Sequence, residues 1–343
     1  MNRDVVLRLD AVILALIAVN PLSAQNAAEP PPPLPEGSGL AAKYPGDVGI
    51  DKDPNVVFVE NFEHDSFDVC AKRWESVSQP ELMSLSDEKP AASGGKKSLQ
   101  VRHVGGESTG GHLYRRLPPG HDKLFVRFNV KFAEDCNPIH HFFHVGGYNP
   151  TTAWPQGGAG VRPKPTERFT VGLEPFGDTW SWDAYAYWSE MGGSPPRGQT
   201  WGNNFLGPKK PKAKRGEWQS VEAMIQMNDV DDTNGELALW IDGKRVGHFG
   251  KGFPKGKWIF DKFNPGEGGD AVRWSDAKKG PTYFTVPKDG KPFEGFRWRT
   301  NEKLKINFLW VLVYITKAPP GKVSTMWFDD IVVAKEYIGP IAK

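Results

Sequence analysis

Residues 124–132, LFVRFNVKF, alternate with a period of two. Leu124, Val126, Phe128, Val130 and Phe132 share one face; Phe125, Arg127, Asn129 and Lys131 share the other. One wholly apolar face and one mixed face define a strand with a side in a core. The pattern returns in KSLQVRHV (97–104) and WQSVEAMIQM (218–227), with NVVFVENFE (55–63) ahead of them and TMWFDDIVVAKEYIG (325–339) behind. KINFLWVLVYIT (305–316) is an almost unbroken apolar run, as in a buried strand, and ELALWIDGKRVG (236–247) reads as strand, Asp-Gly turn, strand. With 38 glycines and 30 prolines among 343 residues, no amphipathic helix of useful length is left. Strands at this spacing predict an all-β, two-sheet sandwich forming one domain over 45–341. The loops 150–168, 189–216 and 250–300 are long enough to serve as lids or groove walls.

The first residues, MNRDVVLRLD, then AVILALIAV, then NPLSAQ, read as a secretory signal over 1–24, cut after Ala24. Its apolar core is too short to cross a bilayer, and no later apolar run reaches that length. A secreted or periplasmic protein without a membrane span in the mature chain is the expectation. NAAEPPPPLPEGSG follows, and residues 25–44 have the composition of a disordered spacer. Cys70 and Cys136 are the two cysteines; spacing leaves open whether they pair. A formal charge of +2, from 43 basic and 41 acidic residues, offers no footprint for nucleic acid, and GPKKPKAKRGEW (207–218) reads as a solvated loop.

Three segments carry candidate chemistry. HHFFHVGGYNP (140–150) holds three of the eight histidines, a Gly-Gly step and Tyr148. On a regular strand His140 and His144 share a face but stand about 13 Å apart, while His141 points away. That spacing makes a poor metal motif, and the metal content is left unknown. At least one histidine of the run is a candidate for catalysis or binding, with His144 and Tyr148 as groove residues. DTWSWDAYAYWSEM (178–191) puts Asp183, Tyr185 and Tyr187 on one face. Phenols, a carboxylate and the adjoining Trp188 suit sugar rings, which have apolar faces and hydroxyl edges. GGAGVRPKP (157–165) carries Arg162 in a flexible turn, a residue type that clamps carboxylates. Glu174, in RFTVGLEPFG, adds a carboxylate beside the aromatic strand.

A Gly-Gly step preceded by a basic residue, a following arginine and a Y-x-Y strand lead into GEWQSVEAMIQMN, NGELALWIDGK and WFDDIVVAKEYIG. In this order the chain resembles polysaccharide lyases of the alginate- and glucuronan-lyase kind, built on a concanavalin-A-like jelly roll. The resemblance covers 55–341. It implies a carbohydrate-active enzyme that cleaves a uronate-containing polysaccharide by elimination. The family's lysine before the Gly-Gly step falls on His140, its arginine on Arg162 and its two tyrosines on Tyr185 and Tyr187; Gly160 replaces a serine. A structural Ca2+ near WFDDIVV comes with the resemblance; the sequence itself requires no cofactor. Other functions known on this fold are glycoside hydrolysis and glycan binding without catalysis.

Overall fold

The computed structural model describes residues 33–194, 200–207, 210–266, 271–276 and 280–343. The expected signal segment and residues 25–32 of the spacer lie outside the described residues.

Two sheets face one another across an apolar core. The first runs in the order Lys244–Phe249, Glu236–Ile241, Trp218–Gln226, Lys123–Phe132, Val323–Ala334, Ser98–Val104 and Met83–Ser86, and Val56–Glu60 also pairs with Val323–Ala334. The second runs Lys291–Pro292, Lys255–Ile259, Lys262–Pro265, Asn203–Asn204, Ser181–Tyr187, Arg168–Phe176, His144–Tyr148, Ile306–Leu312, His112–His121 and Ser76–Ser78. This is the two-sheet β-sandwich that the alternation predicts, in the jelly-roll form that the resemblance implies. Leu124, Val126, Phe128, Val130 and Phe132 fill the core from one side; Val145, Val171, Leu173, Ala184, Ala186 and Leu309 fill it from the other. Phe128 stacks on Phe143 with centroids 4.0 Å apart. Asp242 and Gly243 turn the predicted hairpin, both at positive φ as that tight turn requires.

The mixed face of Lys123–Phe132 is not open to water. Leu40 and Ala41, inside the segment expected to be an unpacked spacer, are buried on it with Phe125, Met224 and Trp240. Backbone bonds from Leu40 to Tyr337 and from Ala41 to Ile338, both 2.9 Å, tie the segment to the C-terminal strap. The Trp240 indole donates to the Pro35 carbonyl at 2.8 Å. Few as they are, Leu34, Leu40, Ala41 and Ile50 supply the apolar surface that covers this face, so the proline-rich composition of residues 25–44 misleads over 33–44.

Arg127 is fully buried under this cover. Its guanidinium pairs with both oxygens of Asp47 and donates to the carbonyls of Gly339 at 3.1 Å and Asp330 at 3.2 Å. Glu222 is also buried there and accepts the N–H groups of Ile338 (2.8 Å) and Gly339 (2.9 Å). Burial pushes its carboxyl up to about 7. The folded chain therefore holds this proton more tightly than the unfolded chain, and Glu222 costs stability as pH rises from the ordinary carboxylate range towards 7. Melting curves of Glu222→Gln should show the variant gaining on the parent between about pH 4.5 and pH 7. A constant difference across that window would refute the assignment.

Cys70 and Cys136 are unbonded, each buried in the core. Residues 250–300 are not the open loop that their glycines and lysines suggest. Lys255–Ile259 and Lys262–Pro265 extend the second sheet, and Ala271–Asp276 pairs with Gly280–Thr285. Trp258, Phe263 and Phe293 anchor this edge on Phe205 and Phe249, with centroids 5.1–6.4 Å apart.

Candidate active site

The outer face of the second sheet gathers the chemistry. Strand register sets Trp310, His144, Gly172 and Tyr185 in one row across four strands, with Thr170 and Tyr187 paired in the next row. Two residues along from Gly172, Glu174 returns to this face.

Gly172 is required at its position. A Cβ there would lie 2.7 Å from the His144 ring and 2.8 Å from the Glu174 carboxylate, closer than real contacts allow. The missing side chain is the space in which imidazole and carboxylate meet. Gly172→Ala should displace both and lower turnover on the order of tenfold to a hundredfold while leaving the melting temperature near the parent's; steady-state kinetics beside a thermal melt checks this.

The histidine run departs from its expected geometry. The regular strand begins at His144, and before it the chain makes single bridges, Ile139 to Phe176 and His141 to Tyr314. Phe142 and Phe143 are consecutive and both fully buried, which strict alternation forbids. The irregular backbone that buries both rings brings His141 round to the side of His144. His141 Nδ1 lies 2.9 Å and His144 Nε2 3.3 Å from the same oxygen, Glu174 Oε1. The expectation that His141 points away is corrected: it is the histidine at the centre. His140 stands behind it at the exposed end, ring centroids 4.4 Å apart, with Nδ1 3.0 Å from the Thr316 hydroxyl.

Glu174 is buried, and the adjacent imidazoles hold its carboxyl down at about 2 despite the opposing effect of burial. His141 is raised above the ordinary imidazole range by this carboxylate, while burial lowers His144. His141 lies flat against Tyr314 (5.8 Å, 7°) and its ring is 5.4 Å from Tyr185.

Tyr185 and Tyr187 are half-buried neighbours with rings 5.6 Å apart, edge to face. The Gly202 N–H donates to the Tyr185 oxygen at 2.9 Å, and the Gly160 N–H to the Tyr187 oxygen at 3.4 Å. Burial, with the Tyr187 phenol and the Glu174 carboxylate nearby, raises Tyr185 above the ordinary phenol range, so it keeps its proton. Arg162 is exposed at the rim, its guanidinium bonded to the Ser189 carbonyl at 3.0 Å.

Three of the predicted groove residues are structural. Trp188 is 3% exposed and packs in the core against Phe205, Phe296 and Trp298, on the same inward side as Trp182, Ala184 and Ala186 and opposite the tyrosines. Tyr148 is buried in a stack with Phe308 (4.4 Å) and Tyr114 (6.5 Å), its hydroxyl accepting from the Gln156 N–H. Asp183 lies beside Glu174 on the neighbouring strand but is fully buried. One oxygen accepts from Ala184, Phe205 and Leu206, and Lys210 pairs with the other. It fixes the segment that carries Gly202.

The calcium expectation concerns Asp329 and Asp330, which lie on the first sheet, away from this face. Each keeps one carboxylate oxygen buried without a hydrogen-bond partner, and burial raises both above the ordinary carboxylate range. Partnerless buried oxygens suit a hard cation. Among the described residues, though, Asp329 and Asp330 do not gather with a third ligand close enough to share one ion, and Glu63 already accepts the N–H groups of Lys96 and Lys97, so the residues present do not fit the expected calcium.

No model of a known protein family matches the chain, and no curated protein matches it in sequence. Solved structures do match. Alginate lyase Aly36B, in complex with alginate tetrasaccharide, superposes with a TM-score of 0.50 at 13% identity, covering 81% of this chain and 96% of its own. The marine alginate lyase from Aplysia kurodai gives 0.50 at 12% identity, covering 81% and 98%. The chain has the fold of alginate lyases. At this identity the likeness is one of architecture, and the alginate-lyase fold here carries a centre built on His141, His144 and Glu174 beside its tyrosine pair.

Proposed function

We propose that the protein is an exported polysaccharide lyase acting on a uronate-containing glycan. The observation that carries this reading is the tyrosine pair beside a histidine–carboxylate centre on an alginate-lyase fold, with Arg162 at the rim. Elimination requires the uronate carboxylate to be neutralised, so that the C5 proton becomes acidic. The C5–H electron pair then forms the C4–C5 double bond, and the C4–O bond breaks with its oxygen protonated. Tyr187, whose oxygen accepts from the Gly160 N–H, takes the C5 proton as general base and returns it to the leaving oxygen. Arg162 meets the carboxylate, and exposed His140 assists from the end of the groove. The secretory signal read over 1–24 supports export.

Hydrolysis on the same face would need two available carboxylates across the sugar. Glu174 and Asp183 are cross-strand neighbours, each already bound, which favours elimination. Incubation with alginate and with glucuronan should release products with the ultraviolet absorbance of an unsaturated uronate. Tight retention of both glycans without that absorbance would make the protein a binding module; reducing ends without it would make it a hydrolase.

A further inference from the structure

We infer that His141, His144 and Glu174 form a site for one divalent transition-metal cation of the zinc class. His141 Nδ1, His144 Nε2 and a Glu174 oxygen all lie within 4.8 Å of one another. Ligand bonds of about 2.0–2.2 Å to one ion place neighbouring donor atoms roughly 3–3.5 Å apart, and the two nitrogens lie 2.9 and 3.3 Å from Glu174 Oε1. Two imidazole nitrogens and one carboxylate are a donor set that zinc accepts with a position left open.

A second observation points to a cation. Glu174 is 1% exposed, and its Oε2 is buried with no hydrogen-bond partner. Both imidazoles converge on the other oxygen. A buried carboxylate oxygen without a donor is costly, and a bound cation removes that cost.

The donors are also held in place. His144 and Glu174 lie on adjacent strands over the open backbone of Gly172, whose missing side chain lets them approach. The Trp310 ring meets the His144 ring edge to face at 5.1 Å, and Tyr314 supports His141 from behind. Burial is uneven: the side chain of His141 is 23% exposed and that of Glu174 only 2%. The open coordination position therefore lies on the His141 side, towards Tyr185. Two neutral imidazoles and one carboxylate carry a single negative charge, so a divalent ion leaves the centre with one net positive charge. That charge would draw an anionic sugar oxygen to the groove floor, a clause that rests on the lyase reading.

A second histidine–carboxylate cluster, Glu60, His64 and Cys70, lacks this character. Glu60 already accepts from the Phe62 N–H and His64 and lies 3.3 Å from the Arg73 guanidinium, a cation that takes the place of a metal.

The test uses full-length protein free of any polyhistidine tag, stripped with a chelator and titrated by calorimetry with Zn2+ and, for its visible absorption, Co2+. One ion per chain is expected. His141→Asn and Glu174→Gln should each weaken binding by at least the roughly 10–100-fold typical of losing even an outer-shell partner. Glu60→Gln should bind as the parent does. Thermal melts confirm folding, and His141, the more exposed of the two ligands tested, provides a variant that leaves the core intact. Absence of a stoichiometric site, or equal affinity in the parent and both variants, overturns the inference. Because binding is read without glycan, failure here is separable from failure to form unsaturated product.

Discussion

Tyr187→Phe should reduce polyuronate cleavage by at least about 100-fold while leaving the fold and glycan retention close to those of the parent. The substitution removes one oxygen and nothing else. In the parent that oxygen accepts from the Gly160 N–H and is the atom assigned to move the C5 proton. Tyr185→Phe should cost less, because the Tyr185 hydroxyl acts through its neighbour. Assaying both variants for unsaturated product, with glycan affinity measured separately, distinguishes proton transfer from binding. A Tyr187→Phe protein that turns over at the parental rate would remove Tyr187 from the mechanism.

Asp47→Ala should destabilise the fold by about 3–5 kcal/mol, the cost of leaving one member of a buried ion pair without its partner. Arg127 has no access to solvent, and Asp47 is the carboxylate that meets both its terminal nitrogens. The remaining contacts, carbonyls of Gly339 and Asp330, are neutral. Chemical denaturation should show the loss as a lower midpoint. Asp47→Asn, which keeps the shape and an acceptor, should lose less. A change under about 1 kcal/mol for Asp47→Ala, the range of exposed pairs, would mean that water reaches Arg127.

The architecture could be read from the sequence because a period of two survives wherever one side of a strand faces a core. LFVRFNVKF shows it without interruption, and Asp242-Gly243 marks its hairpin. Tyr185 and Tyr187 were legible for the same reason, lying two apart on a regular strand beside Glu174. His141 was misread because that rule was extended into residues where the strand has not begun. The signal was present in HHFFHV: two consecutive phenylalanines cannot both enter a core from a regular strand, so the backbone has to turn there, and the histidines turn with it. Trp188 shares the inward side of Trp182, Ala184 and Ala186, so the period of two already placed it in the core, and only its aromatic character suggested a groove. Nothing local to GDVGI marks Asp47 as the partner of Arg127, 80 residues away. Long-range ion pairs have no period.

The clasp of residues 34–41 holds this segment on the outer face of the first sheet. The Arg245 guanidinium donates to the Leu34 carbonyl, and Tyr337 reaches the Gly37 carbonyl, both on the face opposite the tyrosines and Glu174. A protein shortened to begin at residue 33 and attached to a support by that end would therefore meet the support with the face behind the groove. Held by that end on a solid support, the protein would present its groove outward, so immobilisation through the N-terminal side should leave access to long polymers unimpeded.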